Sequence, residues 1–207
     1  MLSSPVSSDA ELLEAWRAGD QHAGSELASR YFDSLYGFFR NKVGDDIDDL
    51  LQQTMLACTE STRRFEGRSS FRTFLFGIAR NVLFAHFRTA RRHAVTDFSQ
   101  ASIEDLATTP SGHVVRHQQA KHLAHAMRRI PVDYQIAIEL YYWEQMTAAE
   151  IAEVLEVPAA TVRTRLRRGR QQLEEQLRRL ADGQTQLQST VDGLRHLAEV
   201  LRSRTTP

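Results

Sequence analysis

Helical periodicity dominates this chain almost from end to end. Apolar residues recur at spacings of three and four in one segment after another, as they do on the buried face of an amphipathic helix. The ten glycines and five prolines are few, and they fall mostly between these segments. No stretch alternates apolar and polar residues in the manner of a half-buried strand. The predicted fold class is therefore all-α.

The first module, residues 1–93, is predicted to contain four helices. Ser8 with Glu11 matches a capping box, in which two side chains satisfy free backbone amides, and it opens the first helix. A short loop at residues 65–70 separates the third helix from the fourth. The buried stripe of the third helix is predicted to consist of Leu50, Leu51, Met55 and Leu56.

Beyond the first module the periodicity stops and then resumes. Residues 94–116 are turn-rich and weakly apolar, which predicts a flexible linker. Residues 117–180 are predicted to form a second small helical domain. In residues 181–207, leucines continue a spacing of seven that begins at Leu166. We interpret this C-terminal extension as an amphipathic helix that packs on the chain itself, dimerises or binds a regulator.

A net charge of zero conceals two segments of opposite sign. Residues 45–49 contain four aspartates, and residues 163–170 contain five arginines and no acidic residue. This separation predicts two partners, one cationic and one anionic. Cys58 is the single cysteine, so an intramolecular disulfide is impossible and the usual zinc sites are excluded. We find no signal peptide and no apolar run of about 20 residues, so we expect a cytoplasmic protein without membrane insertion.

The most informative segment is residues 147–170. A short helix opened by Thr147 and Glu150, a tight turn at Val157 and Pro158, and a basic helix make up the layout of a helix-turn-helix. Arginines on the outer face of such a helix can bind guanine edges or phosphates. The alternative is a solvated basic helix without a role in DNA binding. The predicted DNA-binding residues are Thr147, Ala160, Thr161, Arg163, Thr164, Arg165, Arg167, Arg168 and Arg170.

Two motifs in the first module resemble those of one protein family. Residues 48–56 read DDLLQQTML, and residues 64–81 read RFEGRSSFRTFLFGIARN. Both are similar to motifs of the bacterial sigma factors of the extracytoplasmic-function group, and residues 130–173 resemble the −35 domain of that family. The resemblance covers about residues 10–177. Three departures are Met55, where phenylalanine is usual, Phe74, where tryptophan is usual, and Arg167, where other members carry an apolar or polar residue.

This resemblance implies a sigma factor that binds core RNA polymerase and recognises the −10 and −35 elements of promoter DNA. The acidic helix would dock on the clamp helices of the polymerase β′ subunit, and the chain would also meet the β flap. The alternative reading of these acidic residues is helix-dipole stabilisation and solubility. The implied polymerase-binding residues are Asp45, Asp46, Asp48, Asp49, Leu50, Gln52 and Gln53.

The resemblance also implies how the −10 element is captured. In this family a base of the non-template strand flips into a pocket of the loop, and stacking and edge hydrogen bonds repay its unstacking. Core packing is the alternative role for Phe65. The implied −10 residues are Phe65, Glu66, Gly67, Arg68, Ser69, Ser70, Arg80, Asn81, Arg88, Arg91 and Arg92.

Two other functions compete with this interpretation. One is an operator-binding repressor or activator that binds duplex DNA without polymerase. The other is a small enzyme, but the sequence has no nucleophile–base set, glycine-rich phosphate loop or metal-ligand spacing. We therefore expect neither catalysis nor a bound cofactor or metal. As a further partner, the resemblance implies an anti-sigma factor that hides both DNA-binding surfaces.

Overall fold

The computed structural model describes residues 7–43, 45–90 and 118–180, and every regular element within these ranges is an α-helix. This confirms the predicted all-α fold. The helices are α1 (Asp9–Arg17), α2 (Gln21–Arg40), α3 (Ile47–Thr62), α4 (Phe71–Ala90), α5 (Gln118–Arg128), α6 (Val132–Tyr142), α7 (Ala148–Leu155) and α8 (Ala159–Leu180). The predicted linker at 94–116 and the extension at 181–207 lie outside the described residues.

Local capping explains where the first two helices begin. Ser8 is the N-cap of α1, its side chain accepts from the amide of Glu11 at 3.3 Å, and its own amide donates to Glu11 Oε2 at 2.7 Å. This is the predicted capping box. Asp20 caps α2 by accepting from the amide of His22 at 2.9 Å. Both caps satisfy amides that have no partner inside the helix.

Helices α2, α3 and α4 enclose the core of the first module. Leu27 and Phe39 of α2 and Leu83 of α4 are fully buried, and the rings of Phe38 and Phe76 meet edge to face at 5.7 Å. The predicted stripe of α3 is wrong at one position. Leu56 is 57% exposed, because two residues beyond the buried Thr54 the helix has turned through about 200° and faces outward.

The second module is built around α6, which is buried on nearly all sides. Gly169 of α8 allows the close approach of these two helices, since a Cβ there would lie 3.0 Å from Ile138 Cδ1 and 3.2 Å from Tyr134 Cβ. Apolar contacts also hold the helix-turn-helix together. Their buried members are Ile151, Val154, Leu155, Val162 and Leu166.

The two modules pack against each other in this structure. Helix α4 lies along α7. Just beyond the end of α2, Lys42 forms an ion pair with Glu139 of α6, and both side chains are buried. Arg72 of α4 adds a hydrogen bond of 2.8 Å to the carbonyl oxygen of Glu144 and an ion pair of 3.3 Å with Glu150. The described residues thus form one continuous hydrophobic core.

Two glycines of α2 provide a matched test of helix packing. A Cβ at Gly24 would lie 2.6 Å from Cδ1 of Trp16, whereas a Cβ at Gly37 would meet nothing within 4 Å. We expect Gly24→Ala to destabilise the chain by about 1–3 kcal/mol, because the indole must shift. We expect Gly37→Ala to stabilise it by up to about 1 kcal/mol through helix propensity. Urea denaturation of both variants measures the difference, and equal midpoints would contradict the packing of Trp16 on Gly24.

Candidate nucleic-acid interface

The helix-turn-helix is held in shape by its own backbone chemistry. The amide of Thr147 donates to Glu150 Oε2 at 2.8 Å, and the amide of Glu150 donates to Thr147 Oγ1 at 3.3 Å. The hydrogen bond from the Thr147 backbone holds the pKa of Glu150 below its ordinary value. Helix α7 ends at Leu155, and its C-cap Glu156 adopts a left-handed conformation with φ of 54°. The amide of Thr161 donates to the carbonyl oxygen of Pro158 at the start of α8.

Helix α8 presents a basic face outside this motif. Arg163, Arg167 and Arg168 are exposed, together with the small residues Ala160 and Thr164. The hydroxyl of Thr164 donates to the carbonyl of Ala160 at 3.0 Å. Guanidinium groups interleaved with small residues can approach a DNA groove closely and bind guanine edges or phosphates.

The remaining predicted residues of this motif are engaged within the protein. Arg165 is only 13% exposed, and its Nη2 lies 2.8 Å from Asp133 Oδ2 on α6. Arg170 donates to the hydroxyl of Tyr142 at 3.3 Å. Thr161 is half-buried, and Thr147 serves as the N-cap of α7. Helical periodicity predicts that these residues lie on the outside with the other arginines. In the structure α8 packs against α6, and Arg165 and Arg170 contact α6 instead of solvent.

The acidic start of α3 forms a second polar surface. Gln53 donates to Asp49 Oδ2 at 2.7 Å, which orders that part of the face. Leu50 corrects the prediction, because it is 1% exposed and packs in the core. Leu56 adds an exposed apolar side chain to this surface. It was not among the predicted residues, although its spacing of four from Gln52 places it on the same face of the helix. The exposed predicted residues are Asp45, Asp46, Asp48, Asp49, Gln52 and Gln53.

The loop between α3 and α4 combines an anchored base with an exposed tip. Phe65 is half-buried, and its ring centroid lies 4.5 Å from that of Phe74. Gly67 has φ of +69°, a backbone conformation that favours glycine. Glu66 and Arg68 are exposed and pair at 2.6 Å.

At the far end of the loop, Ser70 caps α4 by accepting from the amide of Thr73 at 3.1 Å. Ser69, beside it, is half-buried. The cap fixes the point at which the chain enters α4, because it satisfies an amide that lacks a partner within the helix. A loop held in this way can present its polar tip in a defined geometry.

Helix α4 supplies the other residues predicted for the −10 element. Asn81 and Arg88 are exposed. Arg80 is 15% exposed, with its guanidinium 4.8 Å from the ring centroid of Phe84 and 3.2 Å from Glu156 Oε2 of the second module. Arg80 is thus paired with the second module in this arrangement. Arg91 and Arg92 lie outside the described residues.

Two absences characterise the described ranges, 7–43, 45–90 and 118–180. Within them, no three histidine, cysteine or acidic side chains come together in a way that could hold a metal ion. No helix in this part of the chain combines the length and the apolar character needed to cross a membrane.

Comparison with known proteins identifies both modules. Residues 27–93 match the family Sigma-70 region 2, and residues 121–173 match Sigma-70, region 4. The ECF RNA polymerase sigma-E factor of Haemophilus influenzae is 30% identical over 183 residues, which cover 83% of this chain and 96% of that protein. SigW of Bacillus subtilis, also an ECF RNA polymerase sigma factor, is 27% identical and covers 79% of this chain and 94% of its own length.

Solved structures share the fold. CnrH, in complex with the cytosolic domain of CnrY, aligns with a TM-score of 0.63 at 22% identity, over 86% of this chain and 99% of CnrH. The sigma factor RpoE, in complex with the anti-sigma factor NepR from Bartonella quintana, aligns with a TM-score of 0.52 at 20% identity, over 81% and 92% of the two chains. The chain therefore belongs to the extracytoplasmic-function sigma factors, which bind core RNA polymerase and direct it to promoters through their −10 and −35 elements.

Proposed function

We propose that three separate surfaces of this chain carry out the work of a sigma factor. The acidic face of α3 binds core polymerase, the tip of the α3–α4 loop binds the −10 element, and the exposed face of α8 binds the −35 element. The observation that carries the proposal is the exposed trio Arg163, Arg167 and Arg168 behind a capped, well-packed α7. Such a helix projects cations at a fixed angle into a major groove.

The polymerase-binding surface joins charge to one apolar contact. Asp48, Asp49 and Gln52 can meet basic and polar groups of the β′ clamp helices. Leu56 lies on the same side of α3 and is exposed, so it can bury its side chain against the partner. Contact of the second module with the β flap completes the proposed interface with polymerase.

The −10 and −35 surfaces are proposed to work only after the modules separate. The two elements lie about 25 base pairs apart, or about 85 Å along the duplex. A compact chain of this length has a radius of gyration of only about 17 Å. In the packed arrangement, Arg80 also pairs with Glu156 across the modules. Opening would release Arg80 for DNA, and residues 94–116 would serve as the linker between the domains at 1–93 and 117–180.

The remaining proposed properties follow from this role. The chain is proposed to act by binding and positioning rather than by catalysis. Because its polymerase and promoter partners are cytoplasmic, the chain is proposed to work in the cytoplasm. An anti-sigma factor is a further proposed partner, supported by the complexes of CnrH with CnrY and of RpoE with NepR. The extension at 181–207 is a candidate site for such a regulator.

Reconstitution with core RNA polymerase tests the proposal directly. A promoter is first selected from a random-sequence library with the reconstituted holoenzyme, and transcription from it is then measured with and without the chain. We expect transcription from this promoter only when core polymerase and the chain are both present. Tight binding of the chain alone to duplex DNA, without stimulation of polymerase, would favour the operator-binding alternative.

Charge reversal at α3 tests the polymerase-binding surface. We expect Asp48→Lys with Asp49→Lys to weaken binding to core polymerase on the order of 10–100-fold, because two attractive contacts become repulsive. Fluorescence anisotropy of the labelled chain with core polymerase measures this affinity. Asp33→Lys, at an exposed position on α2, is the control for the change in net charge and should bind as the wild type does. Unchanged affinity in the double variant would exclude this surface.

A further inference from the structure

Arg17 joins the end of α1 to the loop proposed to bind the −10 element. Its Nε and Nη2 donate to the carbonyl oxygen of Thr62, at 3.1 and 3.0 Å. Nη2 also donates to the carbonyl oxygen of Phe65. These two acceptors are the last residue of α3 and the third residue of the loop that follows it, 45 and 48 positions along the chain from Arg17.

The guanidinium of Arg17 is itself held in place. Its Nη1 donates to Glu14 Oε1 at 2.6 Å within α1. Its central carbon lies 5.8 Å from the ring centroid of Phe65, and that ring packs on Phe74. The side chain is 24% exposed, so solvent competes only partly for these hydrogen bonds. One side chain therefore connects α1, the end of α3 and the aromatic base of the loop.

This arrangement suits arginine in particular. Carbonyl groups at the end of a helix lack intrahelical donors and carry the negative end of the helix dipole, so a cation that donates hydrogen bonds is favourable there. The flat guanidinium can bond both Thr62 and Phe65 at once. A lysine ammonium is a compact point charge on a flexible stem and does not reproduce this planar pair of hydrogen bonds.

The two ends of the loop are thus fixed by different means. Arg17 holds the start at Thr62 and Phe65, and the Ser70 cap holds the end. Between them, Glu66, Gly67 and Arg68 are exposed. The position of the polar tip therefore depends on Arg17, which lies outside the loop.

We propose that Arg17 is a positioning residue for −10 recognition, holding the start of the 63–70 loop so that its tip meets the non-template strand in one geometry. This inference rests on the proposed role of the loop. Arg17 does not itself contact the DNA. Its removal would broaden the loop's geometries and reduce discrimination between bases, while leaving the α3 and α8 surfaces intact.

The test uses holoenzyme containing full-length Arg17→Lys. Two single-stranded probes carry the selected −10 sequence and the same sequence with one base replaced, and the ratio of their affinities measures discrimination. We expect that ratio to fall about tenfold in the variant, as when a charge-assisted hydrogen bond is removed. Affinity for core polymerase and for −35 duplex should stay at the wild-type level. Hydrogen exchange of the amides at residues 64–66 should also accelerate.

Arg30→Lys is the matched control. Arg30 joins α2 to the start of α1 through Asp9 at 2.5 Å and the carbonyl of Ser7 at 2.9 Å, with similar exposure and with its hydrogen-bond partners outside the loop. It should leave discrimination unchanged. Wild-type discrimination in Arg17→Lys, or an equal loss of −35 and core binding, overturns the positioning role. A wild-type holoenzyme without −10 preference would overturn the proposed role of the loop, and this inference with it.

Discussion

Lys42→Met weakens the packing of the two modules by about 3–5 kcal/mol, because it leaves the carboxylate of Glu139 buried without its cation. The Lys42 side chain is 0% exposed, and its Nζ also donates to the carbonyl of Phe38 at 2.6 Å and lies 4.1 Å from the Phe38 ring centroid. Burial lowers the pKa of Lys42 and raises the pKa of Glu139, while their mutual attraction opposes both shifts. Each charge is therefore tolerated only in the presence of the other.

The measurable result of Lys42→Met is a larger particle. Separating α2 from α6 lets water reach Glu139, so we expect a larger radius of gyration by small-angle X-ray scattering. Lys42→Met combined with Glu139→Leu removes both charges and should restore packing, since apolar residues replace a buried pair at little cost.

An exposed ion pair supplies the control for Lys42→Met. Arg178 and Glu174 lie 3.7 Å apart on α8, and Arg178→Met there should cost less than about 1 kcal/mol. A Lys42→Met chain with the size and the stability of the wild type would contradict the buried pair.

Arg163→Ala with Arg168→Ala lowers the affinity of the holoenzyme for its −35 element on the order of 100-fold, because removing each arginine from a base or a phosphate costs about 1–3 kcal/mol. Both side chains are exposed, so the free energy of unfolding should stay close to that of the wild type. Binding to a duplex that carries the selected −35 sequence, measured over a range of salt concentrations, gives the affinity. The slope of log affinity against log salt should become shallower by about one for each phosphate that the variant no longer neutralises.

Arg165→Ala separates the two kinds of arginine on α8. It breaks the Arg165–Asp133 ion pair, in which both side chains are largely buried, so we expect a decrease of about 2–4 kcal/mol in the free energy of unfolding, somewhat less than for a fully buried pair. Its effect on −35 affinity under native conditions should be smaller than that of the Arg163→Ala and Arg168→Ala double variant. If Arg165→Ala abolished DNA binding without a decrease in stability, the assignment of the α8 face would fail. It would also fail if Arg163→Ala with Arg168→Ala left −35 affinity unchanged.

Most of the fold could be predicted from short, continuous sequence patterns. The capping boxes at Ser8 and Thr147 predicted where α1 and α7 begin, because both halves of each box lie three residues apart on the same chain. The helix-turn-helix was predictable for the same reason, since its buried residues recur within one segment. The sigma-factor family was likewise recognisable from continuous motifs in both modules. The roles of individual surface residues stay predictions, and the linker and C-terminal extension lie outside the described residues.

The amino-acid sequence by itself determined that the chain is helical, where α1 and α7 begin, and that a basic helix follows a capped one. Only the tertiary structure decided which residues of those helices face outward. Lys42 meets Glu139 97 residues away, Arg165 turns to Asp133, and Leu50 is buried while Leu56 is exposed. Helical periodicity defines the angle between two side chains on one helix, but the direction of the buried face depends on the neighbouring helices, which come from distant parts of the chain.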